Sequence, residues 1–464
     1  MEAPPIIRPV RKDLLFNRGT LVLAGLSRTE VPPSSKFWKW REETNQWHTD
    51  AYHYRALRGS SPEITDLVPT WSPLLLSTRL PVLRDYQKRA MDEWFTEKSG
   101  LIVLPTGTGK TAVGLAIMAE LAVSSLVVCP TRDLMYQWAN RIEECLGQRP
   151  GVIGDNHFEI HDVCVTTYHS ACIRMAEIGS RYGLIVFDEC HHLPGRVRAD
   201  AARMSAAPYR LGLTATPPVQ TQLGTIHDLI GPVVYSMGIQ EAKGKTLAPY
   251  TTIRTKIALT NEEEEAYAAA GKTIANFMAA QMKDNPDFRW EDIFGELAAD
   301  AGARRALAAH RKRKSIEDRA EQKLDILEDV FRNHPGMPTI IFTGSNIMAR
   351  AVSRRFLIPY ILSENGRDER RAILAGLEDG TYRALVANEV LDEGVDLPCA
   401  KVAVVLGGKS SSRQAVQRLG RILRRDGDIP ATLYEVVCED TKEVTQSKKR
   451  TETHAYEGTL NFRF

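Results

Sequence analysis

Leu101–Thr111 reads LIVLPTGTGKT and runs on into AVGLAIMAELA. The uninterrupted apolar run suits a strand buried on both faces, and the stretch after the glycines suits a helix. Between them, Gly107 and Gly109 let successive backbone N–H groups curl around an anion, a turn that glycine enters at little steric cost. The helix start adds its partial positive charge. Pro105, Thr106, Gly107, Thr108 and Gly109 therefore read as a phosphate cradle. Lys110 reaches the β- and γ-phosphates of a nucleotide, and the Thr111 hydroxyl suits Mg²⁺. The first glycine of the general phosphate-loop pattern is absent, and Leu104 stands in its place. Taken alone, the segment also admits a strand–helix turn with an incidental lysine.

Leu184–His192 reads LIVFDECHH. Four apolar residues again form a buried strand, and two carboxylates emerge at its C-terminal end, where ligands bind in open α/β sheets. Asp188 and Glu189 can hold Mg²⁺, and Glu189 can also orient and deprotonate an attacking water. An Asp-Glu pair is more often solvated surface charge, but this one follows a buried strand downstream of a phosphate loop. Gln417–Arg425 reads QRLGRILRR. Arg421 and Arg424 share a helix face and suit a γ-phosphate held by another domain, an arrangement worth roughly 10³–10⁵ in rate. An exposed basic helix face is the plainer reading of the same run.

The 464-residue chain is too long for one ordinary core, and its composition of 43% hydrophobic and 25% charged residues is that of a globular protein. A net charge of +2 excludes a polycation that coats nucleic acid by bulk charge, so phosphate contacts must come from local patches. The seven cysteines form no C-x-x-C pair, which speaks against zinc and for buried thiols in a reducing compartment. No apolar stretch reaches signal or membrane-span length. The expectation is a chain without a membrane role, cytoplasmic in a prokaryote or nuclear in a eukaryote.

Residues 1–78 hold four of the seven tryptophans, Trp38, Trp40, Trp47 and Trp71, and predict a small β-rich domain with Thr20–Ala24 as one strand. The tryptophans suit a core poor in aliphatics better than a base-stacking surface. From residue 79 onward, apolar strands alternate with helices: Leu101–Leu104, Leu126–Cys129, Val163–Thr166, Leu184–Phe187 and Arg210–Leu213 predict a first parallel sheet over 79–245. Thr252–Ile257, Thr339–Phe342, Tyr360–Leu362, Arg383–Ala387, Val402–Leu406 and Thr432–Val437 predict a second over 246–440. Residues 261–320 interrupt it as a helix-rich insert that ends near the basic run His310–Lys314, HRKRK. Residues 441–464 are polar and read as a loosely ordered tail.

These pieces together resemble superfamily 2 helicases over most of residues 80–438. The motifs fall in that family's order. Arg84 and Gln87 in Leu83–Gln87 (LRDYQ) match the upstream element whose glutamine reads adenine, chemistry open to an amide facing the N6 and N7 edge. PTGTGKT, CPTRDLMYQW (Cys129–Trp138), VTTYHSA (Val165–Ala171), DECH, LTATP (Leu213–Pro217), IIFTGS (Ile340–Ser345), ANEVLDEGVDLP (Ala387–Pro398) and QRLGRILR follow in sequence. The resemblance implies two RecA-like motor domains in tandem, an α/β fold, with ATP and Mg²⁺ between them. Gln417, Arg421 and Arg424 would complete the site, with Gly394 and Asp396 approaching the nucleotide. His191 would couple it to the polynucleotide. Thr131, Arg132, Thr167, Thr343 and Asn388 would contact the nucleic acid backbone.

Within the superfamily the wording is most similar to the XPB/Rad25 group of DNA repair helicases, in FDECHHLPG, YRLGLTATP and RQAVQRLGRILRR among others. That resemblance implies a damage-recognition-like domain at 1–78 and a helical thumb at 261–320, with Arg311 and Arg313 gripping DNA. A solvated charge run is the plainer reading of those two arginines. The group's Arg-Glu-Asp triplet after LTATP is replaced here by Val219-Gln220-Thr221, while Arg289-Trp290-Glu291-Asp292 lies inside the insert. The departure favours duplex translocation over strand separation. The partner is expected to be DNA, duplex or forked and without sequence preference, with a nuclease as a second partner. A restriction or phage-defence translocase, an RNA helicase and a binding scaffold with an inactive ATP site remain the competing readings.

Overall fold

A computed structural model of the chain describes residues 11–195, 197–215, 220–242, 250–388, 400–407, 430–451 and 459–463. The described residues divide into two compact units, one up to Gly238 and one from Ile239 onward.

In the first unit, β1 (Lys12–Asn17), β2 (Thr20–Ala24), β3 (Lys39–Arg41), β4 (Gln46–Asp50) and β5 (Ile64–Asp66) form a sheet in the order β3-β4-β2-β1-β5. The β1–β2 hairpin turns through Arg18 and Gly19, both at positive φ (46° and 87°), the two-residue turn whose twist matches that of the strands. Leu14, Leu21, Leu23, Trp38, Tyr54 and Leu57 close its core. Of the four tryptophans, Trp38 is buried in this core, Trp47 and Trp71 pack against it half-buried, and Trp40 is half-buried outside it. Trp38 Nε1 donates to Pro33 O at 2.9 Å and Trp47 Nε1 to Ser27 O at 3.2 Å, while Trp40 and Trp47 meet edge to face.

Next come β6 (Ser99–Val103), β7 (Ser125–Cys129), β8 (Gly151–Gly154), β9 (His157–Phe158), β10 (Val163–Thr167), β11 (Leu184–Asp188), β12 (Tyr209–Thr214) and β13 (Val233–Ser236), in the order β13-β6-β12-β11-β7-β10-β8-β9. Every pairing is parallel except the β8–β9 hairpin. β6, β7, β10 and β11 are buried along their whole length, which is why they stand out in the sequence as unbroken apolar runs. Because β12 lies between β6 and β11, the loop after β6 and the acids after β11 leave the same sheet edge two strands apart, about 10 Å.

Arg210, near the start of β12, is a fully buried guanidinium. Nε donates to Ala207 O at 3.1 Å, Nη1 to Ala202 O at 3.1 Å and Leu229 O at 2.8 Å, and Nη2 to Ser205 O. The planar five-donor fork suits this task, gathering chain carbonyls that would otherwise be buried without partners. Trp94 Nε1 from the helix Asp85–Glu97 donates to Arg210 O and ties that helix to the same strand.

In the second unit β14 (Tyr250–Ile257), β15 (Thr339–Phe342), β16 (Tyr360–Ile361), β17 (Ala384–Ala387), β18 (Val402–Val405), β19 (Ala431–Cys438) and β20 (Leu460–Arg463) form a sheet in the order β16-β17-β15-β18-β19-β14-β20, all pairings parallel. Between β14 and β15 run the helices Asn261–Asp284 and Ala301–Arg319, with a small core of their own around Phe277, Phe288, Ile293, Ala303 and Ala306. Thr260 and Glu263 cap the first of them reciprocally.

The stretch after Thr441 departs from the expected loose tail. Lys442–Thr451 is helical, and Glu443 and Ser447 are buried. Polarity suggested solvent, but the charge has a partner. Glu443 accepts from Lys323 Nζ at 2.9 and 3.0 Å and from Cys438 N at 3.0 Å. Lys323 is fully buried, and its Nζ also donates to Glu317 O. Tyr267 OH donates to Glu317 Oε1 at 2.6 Å, and Lys442 N donates to Tyr267 OH and Glu317 Oε1. The roots of both insert helices thus meet the C-terminal helix through one polar cluster. No described helix is long and apolar enough to cross a membrane.

Two stability predictions follow from these buried groups. Arg210→Leu strips buried carbonyls of their donor and should destabilise the first unit by about 3 kcal/mol or more; an unchanged urea midpoint would show that water replaces the guanidinium. Lys323→Met leaves Glu443 buried without its cation and should cost about 3–5 kcal/mol. Adding Glu443→Leu should recover most of that loss in the same unfolding measurement.

Candidate active site

The loop after β6 is built from behind. Gly107 and Gly109 stand at φ 82° and 84°. The backbone angle favours glycine at 109, and a Cβ there would come within 2.5 Å of Gln87 Nε2 and displace that amide. Gln87 donates to Thr108 O at 2.9 Å and Gly109 O at 3.4 Å, and its amide oxygen accepts from Arg84 N at 2.8 Å. Tyr86 OH donates to Thr108 O at 2.6 Å, and Arg84 Nη1 lies 3.4 Å from that hydroxyl. The Gln87 amide thus braces the phosphate loop and the helix start from both of its ends.

Within the loop, Thr108 Oγ1 turns inward to Pro105 O at 2.6 Å. Thr106 Oγ1 is buried without a protein partner, an orphaned hydroxyl that fits a bound anion. Leu104 is fully buried and its N–H pairs with Thr214 O at 3.0 Å. Leu104, in the place of the missing first glycine, is therefore packed in the core immediately after β6. Lys110 opens the twelve-residue helix Lys110–Leu121.

Asp188 ends β11 and is 4% exposed. Its Oδ2 accepts from Trp138 Nε1 at 2.8 Å and its Oδ1 from Glu189 N at 3.0 Å, while Tyr168 OH donates to its main-chain oxygen at 3.1 Å. Burial first, and the neighbouring Glu189 charge second, push the Asp188 carboxyl above the ordinary aspartate range. No Lys or Arg among the described residues pairs with it directly. A buried carboxylate held only by neutral donors, in a fold that also supplies the Thr111 hydroxyl, is the oxygen donor set a hard divalent cation takes.

Glu189 turns away through the left-handed region (φ 47°, ψ 53°). Its Oε1 lies 3.2 Å from Lys110 Nζ and its Oε2 3.4 Å from His191 Nδ1, which is itself 3.2 Å from Thr214 Oγ1. Lys110, Glu189, His191 and Thr214 thus form one chain of contacts from the phosphate loop through the acid pair to the end of β12.

The other expected site residues fall into separate groups. Thr131 and Thr167 leave the ends of the adjacent strands β7 and β10 and cap the helices Arg132–Leu146 and Tyr168–Ile178. Arg132 is exposed and pairs with Asp155 at 2.7 Å. In the second unit, Asn388 Nδ2 donates to Asn346 Oδ1 at 2.8 Å. Thr343 departs from expectation, since it is fully buried and its hydroxyl donates to Ser345 O and Ala387 O. Arg311 is exposed, whereas Arg313 lies over the Tyr267 ring at 4.0 Å and is half-buried. Gly394, Asp396, Gln417, Arg421, Arg424 and Val219 lie outside the described residues. Sequence reasoning gave no role to Tyr86, Trp138 and Tyr168; an aromatic at helical spacing reads as core, and only the hydrogen bonds reveal more.

Comparisons agree with this architecture. Residues 80–219 match the family described as "Type III restriction enzyme, res subunit", and residues 308–459 the one described as "ERCC3/RAD25/XPB C-terminal helicase". The chain is 38% identical over 422 residues to the DNA 3'-5' translocase XPB2 of Sulfurisphaera tokodaii, covering 89% of this chain and 95% of the relative. It is 28% identical to the DNA 3'-5' helicase XPB of Mycobacterium tuberculosis, covering 81% of this chain and 64% of that protein. Among solved structures, the Hef helicase domain of Pyrococcus furiosus superposes with a TM-score of 0.54 at 18% identity, covering 79% of this chain and 98% of that one. Dbp5 of S. cerevisiae bound to RNA and ADP BeF3 gives 0.55 at 14% identity, covering 82% and 89%. At such identities the structural likeness concerns the fold alone: paired parallel-sheet domains of the RecA type. The sequence kinship over nearly the whole of the archaeal relative is decisive, and the chain belongs to the XPB family of superfamily 2 helicases.

Proposed function

We propose that the chain is an ATP-driven translocase of duplex DNA that hydrolyses ATP to ADP and phosphate in the service of DNA repair. The observation that carries the reading is the contact between Lys110 and Glu189 at 3.2 Å, with Asp188 beside them and the phosphate loop on the same sheet edge. The 3'-5' polarity in the names of the Sulfurisphaera and Mycobacterium relatives is extended to this chain. Residues 1–78 take the part of a damage-recognition-like domain and 261–320 that of a thumb.

In this reading the loop amides of 106–109 and Lys110 hold the triphosphate. Asp188 and Thr111 hold Mg²⁺, which supplies charge stabilisation at the phosphates when bound. Lys110 and Glu189 neutralise each other, so a phosphate that draws Lys110 away makes Glu189 a better proton acceptor. Glu189 takes that proton from water as its oxygen attacks the γ-phosphorus and the bond to ADP breaks. Arg421 and Arg424 are assigned to add positive charge as the phosphorus–oxygen bond breaks, and Gln417, Gly394 and Asp396 are assigned to contacts with the nucleotide. His191 and Thr214 link this chemistry to the segment after β12. Thr131, Arg132, Thr167, Asn388 and Arg311 are assigned to the DNA backbone, which gives little sequence preference. The match of residues 80–219 to a restriction-enzyme subunit supports a second setting, a translocating motor with a nuclease partner.

ATP turnover measured with single-stranded, duplex and forked DNA and with RNA at two salt concentrations tests the reading. DNA should stimulate and RNA should not, with a salt slope of about 0.9 per duplex phosphate contact. Lys110→Ala should abolish turnover, and full activity in that variant would refute the site. Glu189→Gln should keep ATP binding while hydrolysis falls about 10²–10⁴-fold. Triplex displacement on undamaged duplex without preference for forks would favour the restriction-type setting. Gln87→Ala should weaken ATP and GTP alike, by about tenfold or less, because the amide acts on the loop backbone. A loss confined to ATP would instead make Gln87 an adenine reader.

A further inference from the structure

Trp138 lies in the middle of the helix Arg132–Leu146, is 1% exposed, and has no part in the chemistry above. Its indole joins two functional elements to its own helix. Nε1 donates to Asp188 Oδ2 at 2.8 Å. The far edge of the ring packs on Gly114 in the helix Lys110–Leu121, where a Cβ would come within 2.7 Å of Cη2. The ring is therefore fixed from both ends, by the carboxylate at one and by the helix behind Lys110 and Thr111 at the other. Its own helix starts at Arg132 and is capped by Thr131.

We propose that Trp138 is a positioning residue that orients the carboxylate of Asp188 for the metal while leaving its charge intact. The choice of side chain carries the argument. A lysine or arginine at 2.8 Å would orient Asp188 equally well, but would neutralise it and compete with a divalent cation. An indole N–H is a donor only, carries no charge and sits on a rigid ring, so it fixes the carboxylate without pairing it. Asp188 Oδ1 is meanwhile turned to its neighbour's N–H, so each oxygen has a defined direction. A tryptophan serving only as core has no need of an acid at its nitrogen. Trp94 provides the comparison: it is fully buried in the same unit, and its Nε1 donates at 3.1 Å to Arg210 O on the backbone of β12.

The inference rests on the reading of Asp188 as the metal holder, and the test separates the two. Equilibrium binding of a fluorescent non-hydrolysable ATP analogue to the full chain is measured with Mg²⁺ and with chelator, and the ratio of the two affinities is the readout. In Trp138→Phe that Mg²⁺-dependent gain should fall about tenfold while the metal-free affinity stays unchanged. Trp94→Phe should leave both unchanged, whatever it does to the melting temperature. Asp188→Asn should abolish the gain. Gly114→Ala, which presses on the ring and keeps the donor, should lower the gain in the same direction and serves if Trp138→Phe does not fold. Loss of the gain in Asp188→Asn with full retention in Trp138→Phe or, failing that variant, in Gly114→Ala overturns the role of Trp138 alone. Retention of the gain in Asp188→Asn overturns the metal assignment itself.

Discussion

A negative charge at the end of a strand buried on both sides is the constraint on which the first α/β unit depends. β11 carries Asp188 to the sheet edge through four buried apolar residues, and the carboxylate is still almost wholly enclosed when it arrives. Charge in such surroundings demands hydrogen bonds or a counter-ion. The fold answers with neutral donors for Asp188 and keeps its nearby cation, Lys110, on Glu189. The two acids, neighbours in sequence, are thereby set apart by the left-handed turn at Glu189, which sends their side chains to different partners.

The central strands and the acid pair were legible in the sequence because burial on both faces removes polar residues from the run, and whatever charge follows stands out. The edge elements were not. β9 has two residues, β13 is half exposed, and β8 and β20 carry too little apolar surface to announce themselves. Gln87 shows a different limit. An amide can serve an adenine edge or a backbone carbonyl with equal chemistry. The partner it takes, Thr108 O, comes from 21 positions along the chain. Trp138 was hidden for the opposite reason, since being core and being a donor to Asp188 are compatible and only the first leaves a pattern in sequence.

The second unit has its own version of the problem. Thr441, Glu443 and Ser447 look like a solvated tail, yet all are buried. Glu443 meets Lys323, 120 positions away, and Ser447 donates to Glu435, which pairs with Arg254 on β14. Pairings of that separation make polar burial tolerable and leave no local trace. They also explain how β14, β19 and the C-terminal helix hold together at the side of the sheet where β20 adds its edge.

The helix Asn261–Asp284 has 24 residues and is anchored at its root by Thr260, Glu263 and Tyr267. At 1.5 Å per residue such a rod is about 36 Å long. A tilt of roughly ten degrees about that root would sweep its far end by about 6 Å, nearly two base-pair steps of a duplex. Ångström-scale rearrangements among a tyrosine, a glutamate and a lysine would thus be multiplied at the far end of the helix, and the stiffness of that small polar joint would set by how much.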